Sequence, residues 1–280
     1  MMKNKKLLGS LMLFCATLIW GLSYTIQSLS SKNLGPFTVV FFKGLGGFLL
    51  LPLIILGKHR IDKKTILSGM LIGLVAFGGC IFQQFGIMNS TVSKAGFITT
   101  LYIIFVPLLG IFLGSKPNKK IIISVLVAVC GLYFLCFSKQ ESLGIGDTYL
   151  LICSLIFALQ IILIDRFTRK HDPLSITFIS QSTICVLSSI FMFINDKPTI
   201  SAIGSSLPLI LYMVFISGMI AQTIQIVFQK DCGPELSSLI MSFESVFSTI
   251  FGWIILSQVL SIQEIFGCVL VFIGILIAES

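Results

Sequence analysis

Glu244 sits near the middle of an apolar run, SSLIMSFESVFSTIFGWIILS over residues 237–257, that is long enough to cross a bilayer. A carboxylate at the centre of a membrane helix costs about 2.5–3.5 kcal/mol on insertion scales, so such a residue faces a bundle interior or a wet cavity. Helical steps place Ser237, Met241, Glu244 and Ser248 on one stripe. Two roles are open to the carboxylate: a hydrogen bond that packs one helix on another, or a place in the wall of a solute pathway. On a pathway it either accepts a coupling proton or contacts a solute ammonium.

Lys43 lies about seven residues into another apolar run, roughly 10 Å along a helix at 1.5 Å per residue. Its side chain can extend from there to the outer interface; the alternatives are an anionic group of a solute, or Glu244. Amides and hydroxyls form further stripes. Gln222, Gln225 and Gln229 share a face with Gly218, Gln83 and Ser90 with Gly79 and Gly86, and Thr17, Gly21, Tyr24 and Ser28 share a third. Such stripes either line a narrow polar cavity or hold helices together through bonds often worth under ~1 kcal/mol each. Trp20, Tyr24 and Tyr102 offer rings that stack on a solute or simply pack. The expected cavity lining is Trp20, Tyr24, Lys43, Gln83, Tyr102, Gln222, Gln225 and Glu244.

Other chemistry lacks its raw material. The two histidines, His59 and His171, fall in loops, and no H-E-x-x-H, Walker A loop, G-x-S-x-G or cluster of metal ligands occurs. A membrane hydrolase would need a nucleophile with a base or a metal, and a primary pump would need a nucleotide domain. No catalytic residue, metal or cofactor is therefore expected.

These side chains must be held by membrane helices. The 280 residues are 56% hydrophobic and 11% charged, with a mean hydropathy of +1.04, whereas soluble domains carry about 25% charged residues. The net charge of +8 does not point to nucleic acid, because the basic residues sit in short loops. The eight cysteines lie almost entirely in apolar segments without a C-x-x-C pair, which suits small buried hydrophobes better than disulfides or metal sites. The MMKNKK start mimics a signal peptide, but the apolar run of about 20 residues after it, with no small-x-small cleavage site, reads as a first span.

Ten spans are expected: 8–28, 37–57, 66–89, 94–114, 120–138, 147–165, 174–194, 206–229, 234–257 and 262–278. Short breaks separate them, at Gly35-Pro36, Gly57-Lys58-His59-Arg60, Ser115-Lys116-Pro117-Asn118, His171-Asp172-Pro173 and Asp196-Lys197-Pro198. With the N-terminus inside, fourteen basic residues fall on cytoplasmic segments and only Lys32, Lys94, Lys139 and Lys197 outside, with Lys43 left in a span. Both termini are then cytoplasmic. Gly44, Gly46, Gly47 and Pro52 make the second span bendable, as Pro107 does the fourth.

The two halves resemble each other. Leu18-Ile19-Trp20 and Pro36 match Leu155-Ile156-Phe157 and Pro173 at a shift of 137 residues. Gly79, Ile81, Gln83 and Ile87 match Gly218, Ile220, Gln222 and Ile226 at 139, and Leu113 and Gly131 match Leu256 and Gly274 at 143. Five spans per copy is odd, so the copies insert in opposite senses, the inverted-repeat plan that places a solute site near the midplane. The expected fold is an all-α integral membrane protein of ten transmembrane helices in two inverted five-helix repeats, residues 1–139 and 140–280.

Three stretches carry a family resemblance: Leu18-Ile19-Trp20-Gly21-Leu22-Ser23; Gly96-Phe97-Ile98-Thr99 running to Val106-Pro107-Leu108; and Leu239 through Phe247, continuing into Gly252-Trp253 and Leu256-Ser257-Gln258. They resemble EamA-type transporters of the drug/metabolite transporter superfamily, over essentially the whole chain. The resemblance implies export of amino acids, metabolites or toxic compounds, or movement of sugars and nucleotide sugars. Two departures stand out. The family's usual Glu-Pro is Glu244-Ser245, which weakens an argument for a helix break there, and its following Gly-Glu is Ser257-Gln258. The first span also lacks the proton-coupling carboxylate of the small four-span exporters.

The sequence therefore leads to a secondary transporter in the bacterial cytoplasmic membrane, exporting small hydrophilic metabolites such as amino acids by alternating access. Its partners are a small-molecule substrate and the lipid bilayer, with proton coupling as one role for Glu244, no nucleic acid, and a monomer or homodimer as assembly. A multidrug exporter, with a wider and more aromatic cavity, is the alternative within the class. A lipid-modifying membrane enzyme and a passive channel stand further off.

Overall fold

The computed structural model describes residues 2–57, 59, 61–114, 118–136, 144–257 and 262–279. Lys58, Arg60, Lys116, Lys139 and Gln258, which entered the charge count and the motifs above, lie outside these residues, as does the expected boundary between the halves. Among the described residues all regular structure is helical. The long segments are α1 (Met2–Ser30), α2 (Pro36–Leu56), α3 (Lys63–Met88), α4 (Val92–Phe112), α5 (Lys119–Cys136), α6 (Ile145–Thr168), α7 (Pro173–Asp196), α8 (Leu207–Cys232), α9 (Pro234–Leu256) and α10 (Ile262–Glu279). Eight of them, all but α5 and α10, are long and apolar enough to cross a membrane. Outward-facing Leu67, Leu126 and Ile255 are exposed, as a bilayer allows. The chain is a multi-pass membrane protein.

Local chemistry sets the helix starts. Asp62, Thr91 and Asp172 cap α3, α4 and α7 by accepting the amide three residues on. Pro36, Pro173 and Pro234 occupy first helical positions, where a missing N–H costs nothing.

Several helices are interrupted. The glycine-rich part of α2, expected to be bendable, tightens into a 3-10 turn over Gly46–Leu50. In α4 the helix runs through Pro107, and the interruption lies instead at Leu101, between Val92–Thr100 and Tyr102–Phe112. α8 winds wide as a π-helix over Tyr212–Ala221. α9 is divided into Pro234–Met241 and Glu244–Leu256.

The halves interlock rather than sit side by side. α1 packs on α8 and α9, and α6 packs on α3 and α4; α2 packs on α7 and α8, and α7 on α2 and α3. α5 and α10 lie along each other. Their crossing is close because Gly131 meets the backbone of Gly267 and Val271, and Gly274 meets that of Ser124 and Ala128. A Cβ on Gly131 would stand 2.6 Å from a carbonyl oxygen, so a larger residue would push the pair apart. At one end of the bundle Lys94 of α4 and Asp147 of α6 form a 2.7 Å ion pair. At the other end His59 approaches Asp172 at 3.1 Å, and the His171 ring meets the Thr65 hydroxyl at 3.2 Å.

Candidate functional site

Glu244 is the first residue of the second half of α9, and serines make this possible without proline. At the break the Phe243 amide turns back to Ile240 O at 3.1 Å and the Ser245 amide to Ser242 O at 3.1 Å, so three-residue spacing replaces four. The hydroxyls of Ser242 and Ser245 donate to Leu239 O and Ser242 O, both at 2.7 Å, and satisfy carbonyls in a dry interior. The missing Glu-Pro therefore does not remove the break; hydroxyls sustain it.

α4 repeats this arrangement 142 residues earlier. The Leu101 amide turns back to Ile98 O at 3.2 Å, and the Thr100 hydroxyl donates to Phe97 O at 2.8 Å. Ile98, Thr100, Leu101 and Tyr102 correspond to Ile240, Ser242, Phe243 and Glu244. Each broken helix thus restarts at a polar side chain, and the two meet: Tyr102 Oη donates to Glu244 Oε1 at 3.1 Å.

Tyr24 on α1 donates to the same oxygen at 3.4 Å, and Gln83 Nε2 on α3 donates to Tyr24 Oη at 3.0 Å. Glu244 is 6% exposed. A carboxylate this deep needs partners, and two hydroxyls plus the start of a helix supply them.

One cavity of about 60 Å³ contains this network. All eight residues expected from the sequence line it: Trp20, Tyr24, Lys43, Gln83, Tyr102, Gln222, Gln225 and Glu244. They come from α1, α2, α3, α4, α8 and α9. Space of this size holds roughly four to six waters or a small solute. Tyr102 within 92–112 and Glu244 within 234–256 lie near the middle of their helices, while Gln83 and Tyr24 stand in the last two turns of α3 and α1.

Lys43 faces the cavity, yet no carboxylate lies within 4.0 Å of its ammonium among the described residues, so the expected alternative of direct pairing with Glu244 is not formed. Its backbone is pinned from behind, because Gly218 on α8 abuts Lys43 O with no room for a Cβ. The Gly218 carbonyl in turn accepts the Gln181 amide at 2.6 Å.

Other striped residues lie elsewhere. Ser90 donates to Asp147, Thr17 to Phe14 O, Ser237 to Gln229 O and Ser248 to Ser245 O. Gly21 packs on Phe247. Gln229 is buried beyond the lining, donating to Ile161 O at 2.6 Å.

Sequence reasoning missed Ser23, Gln27, Gln160 and Gln181, which also line the cavity. A signal existed for two of them: Gln160 stands opposite Ser23 at the shift of 137, and Gln27 lies one turn beyond Ser23. Gln181, on an otherwise Ser/Thr-rich α7, offered none.

Comparison with known proteins agrees with this architecture. The model of the EamA-like transporter family matches residues 7–137 and again 144–279. A protein of Archaeoglobus fulgidus named as an uncharacterized transporter is 28% identical over 280 residues, covering 98% of this chain and 87% of its own. A second transporter so named from the same organism is 24% identical over 266 residues, covering 92% and 94%. A solved crystal structure superposes with a TM-score of 0.78 over 96% of both chains at 18% identity, a likeness of fold alone.

Proposed function

The chain belongs to the EamA-like transporter family, a membrane transporter family of the drug/metabolite transporter superfamily, and from that premise we propose that it exports small hydrophilic metabolites such as amino acids across the cytoplasmic membrane by alternating access. In this reading ten helices form two inverted five-helix repeats, residues 1–139 and 140–280, with both termini cytoplasmic. The double family match, the exchange-symmetric packing and the 142-residue correspondence of α4 and α9 support the repeat. The excess of basic residues on one set of loops supports the orientation.

The observation that carries the reading is Glu244 itself: a buried carboxylate, held by tyrosines from α1 and α4, in a cavity built from both halves. Such a group in a membrane bundle marks a solute or ion path. The eight lining residues are then the substrate site, with Glu244 taking a solute ammonium or a coupling proton. A cavity of about 60 Å³ favours a small solute over a bulky drug.

Uptake and counterflow of amino acids in proteoliposomes test this. Wild-type protein should show counterflow stimulated by internal substrate, and Glu244→Gln and Gln222→Ala should lose at least tenfold in rate. Wild-type rates in both variants would remove these residues from the mechanism, and flux without counterflow would indicate a pore.

A further inference from the structure

Several glutamine amides around the cavity are oriented by their hydrogen-bond partners. Gln27 Nε2 meets Ser23 O at 3.1 Å, and Gln181 Nε2 meets Gly218 O at 2.6 Å. A carbonyl only accepts, so these are the donor ends. Gln229 Nε2 is fixed likewise by Ile161 O, which makes its Oε1 the acceptor for Gln225 Nε2 at 3.2 Å. Gln225 Oε1 then takes Gln222 Nε2, also at 3.2 Å. Tyr24 gives its proton to Glu244, so the Tyr24 oxygen must receive Gln83 Nε2.

The consequence is a wall of acceptors. The Oε1 atoms of Gln27, Gln181 and Gln222 accept no hydrogen bond among the described residues, while that of Gln83, also without a partner, is enclosed behind them. Both tyrosine protons go to Glu244 Oε1, which leaves Oε2 without a protein donor among the described residues. The lining holds one cation, Lys43, which makes no hydrogen bond or ion pair among the described residues.

We propose that this wall is a subsite for a protonated primary amine, whose N–H groups go to Glu244 and the glutamine carbonyls while an anionic group of the same solute meets Lys43. With Lys43 and Glu244 both charged the lining is neutral, which suits a zwitterion. A quaternary ammonium has no N–H to give. It would leave dry acceptors unpaired, and sites built to receive N–H groups reject analogues lacking them strongly. The competing ligand is a quaternary cation seated on the rings of Trp20, Tyr24, Tyr102 and Phe157, since aromatic faces also attract cations.

The inference rests on the cavity being the solute site, and the test separates the two. Calorimetry on the full chain in nanodiscs would use glycine, L-alanine, L-leucine and L-phenylalanine, each beside its N-trimethyl counterpart. We expect at least one free amino acid to bind about tenfold or more tighter than its trimethyl form. Gln222→Met should lower that affinity roughly three- to tenfold, the size of one lost hydrogen bond, while Gln222→Glu, which keeps an acceptor, should retain the preference. Thermal melts check that the variants fold. Trimethyl forms binding as tightly as the parents would overturn the amine subsite and leave the cavity as a solute site. No binding by any of the eight compounds would remove both.

Discussion

At the scale of single residues, the site depends on how one carboxylate is kept company. Tyr102 and Tyr24 both donate to Glu244 Oε1, and Gln83 braces Tyr24 from behind. Removing one hydroxyl leaves the carboxylate less satisfied at a cost of about 1–3 kcal/mol. Tyr102→Phe should therefore weaken solute binding by roughly five- to a hundredfold on that scale, and Tyr24→Phe by less, its bond being longer. Calorimetry on both variants checks the order, and the reverse order would show that Tyr102 is not the main partner. Lys43→Met should abolish recognition of an acidic group while the protein still folds, because Lys43 has no ion pair within 4.0 Å to lose among the described residues. Binding of a decarboxylated amine by wild-type and Lys43→Met proteins should then be equal.

At the scale of elements, two broken helices present the site. Serine and threonine hydroxyls sustain these breaks, so Ser242→Ala should destabilise α9 by about 1 kcal/mol, the worth of one buried hydrogen bond. Ser245→Pro, which recreates the family's Glu-Pro, gives up the amide and hydroxyl bonds to Ser242 O but sits in the first turn of the restarted helix, so it should cost less than a proline in the helix interior. Ile250→Pro, in the interior of the same half, should cost about 3 kcal/mol or more; equal melting temperatures for the two proline variants would contradict the break. The α3 cap gives a pH signature. Hydrogen bonds from the Thr65 hydroxyl and amide hold the Asp62 carboxyl below its ordinary range. Its stabilisation is present above pH ~4, the ordinary aspartate value, and is lost as pH falls through the depressed one. Wild-type and Asp62→Ala melting temperatures should differ at pH 7 and converge in acid.

These elements also show what the sequence could reveal. Apolar runs and the Gly/Pro and charged breaks between them delimited most helices to within a few residues, since a bilayer demands length, although α1 begins at Met2, six residues before the expected span. Glu244, Lys43, Gln83, Gln222 and Gln225 were legible because a polar side chain in an apolar run needs a reason to be there, whereas Gln27, Gln160 and Gln181 were passed over. The breaks were not. Proline advertises a break, as Pro107 seemed to do, while the hydroxyls that maintain the real ones look like ordinary small residues. The 142-residue kinship of Tyr102 with Glu244 was hidden too, because the two differ in type and only the surrounding Ile-x-(Thr/Ser) pattern repeats.

At the scale of the whole molecule, the halves hold each other by swapped first helices and a glycine-lined crossing of α5 and α10. Gly131→Leu should separate that pair and lower the melting temperature, whereas Gly204→Ala, with open space around it, should not. The Lys94–Asp147 pair ties α4 to α6 across the two halves at 12% and 7% side-chain exposure. Losing one partner of so enclosed a pair is costly. Asp147→Asn should raise thiol-reagent labelling of an introduced Ser90→Cys, and unchanged labelling would mean that the pair restrains nothing. One departure from the kinship of the halves remains. The wide winding of Tyr212–Ala221 has, 139 residues earlier, an ordinarily wound counterpart within α3. If alternating access, as proposed, exchanges the windings of the two halves, its two states would differ little in intrinsic energy. The fold would then set no preferred heading, and the gradients on either side of the membrane would decide which way cargo moves.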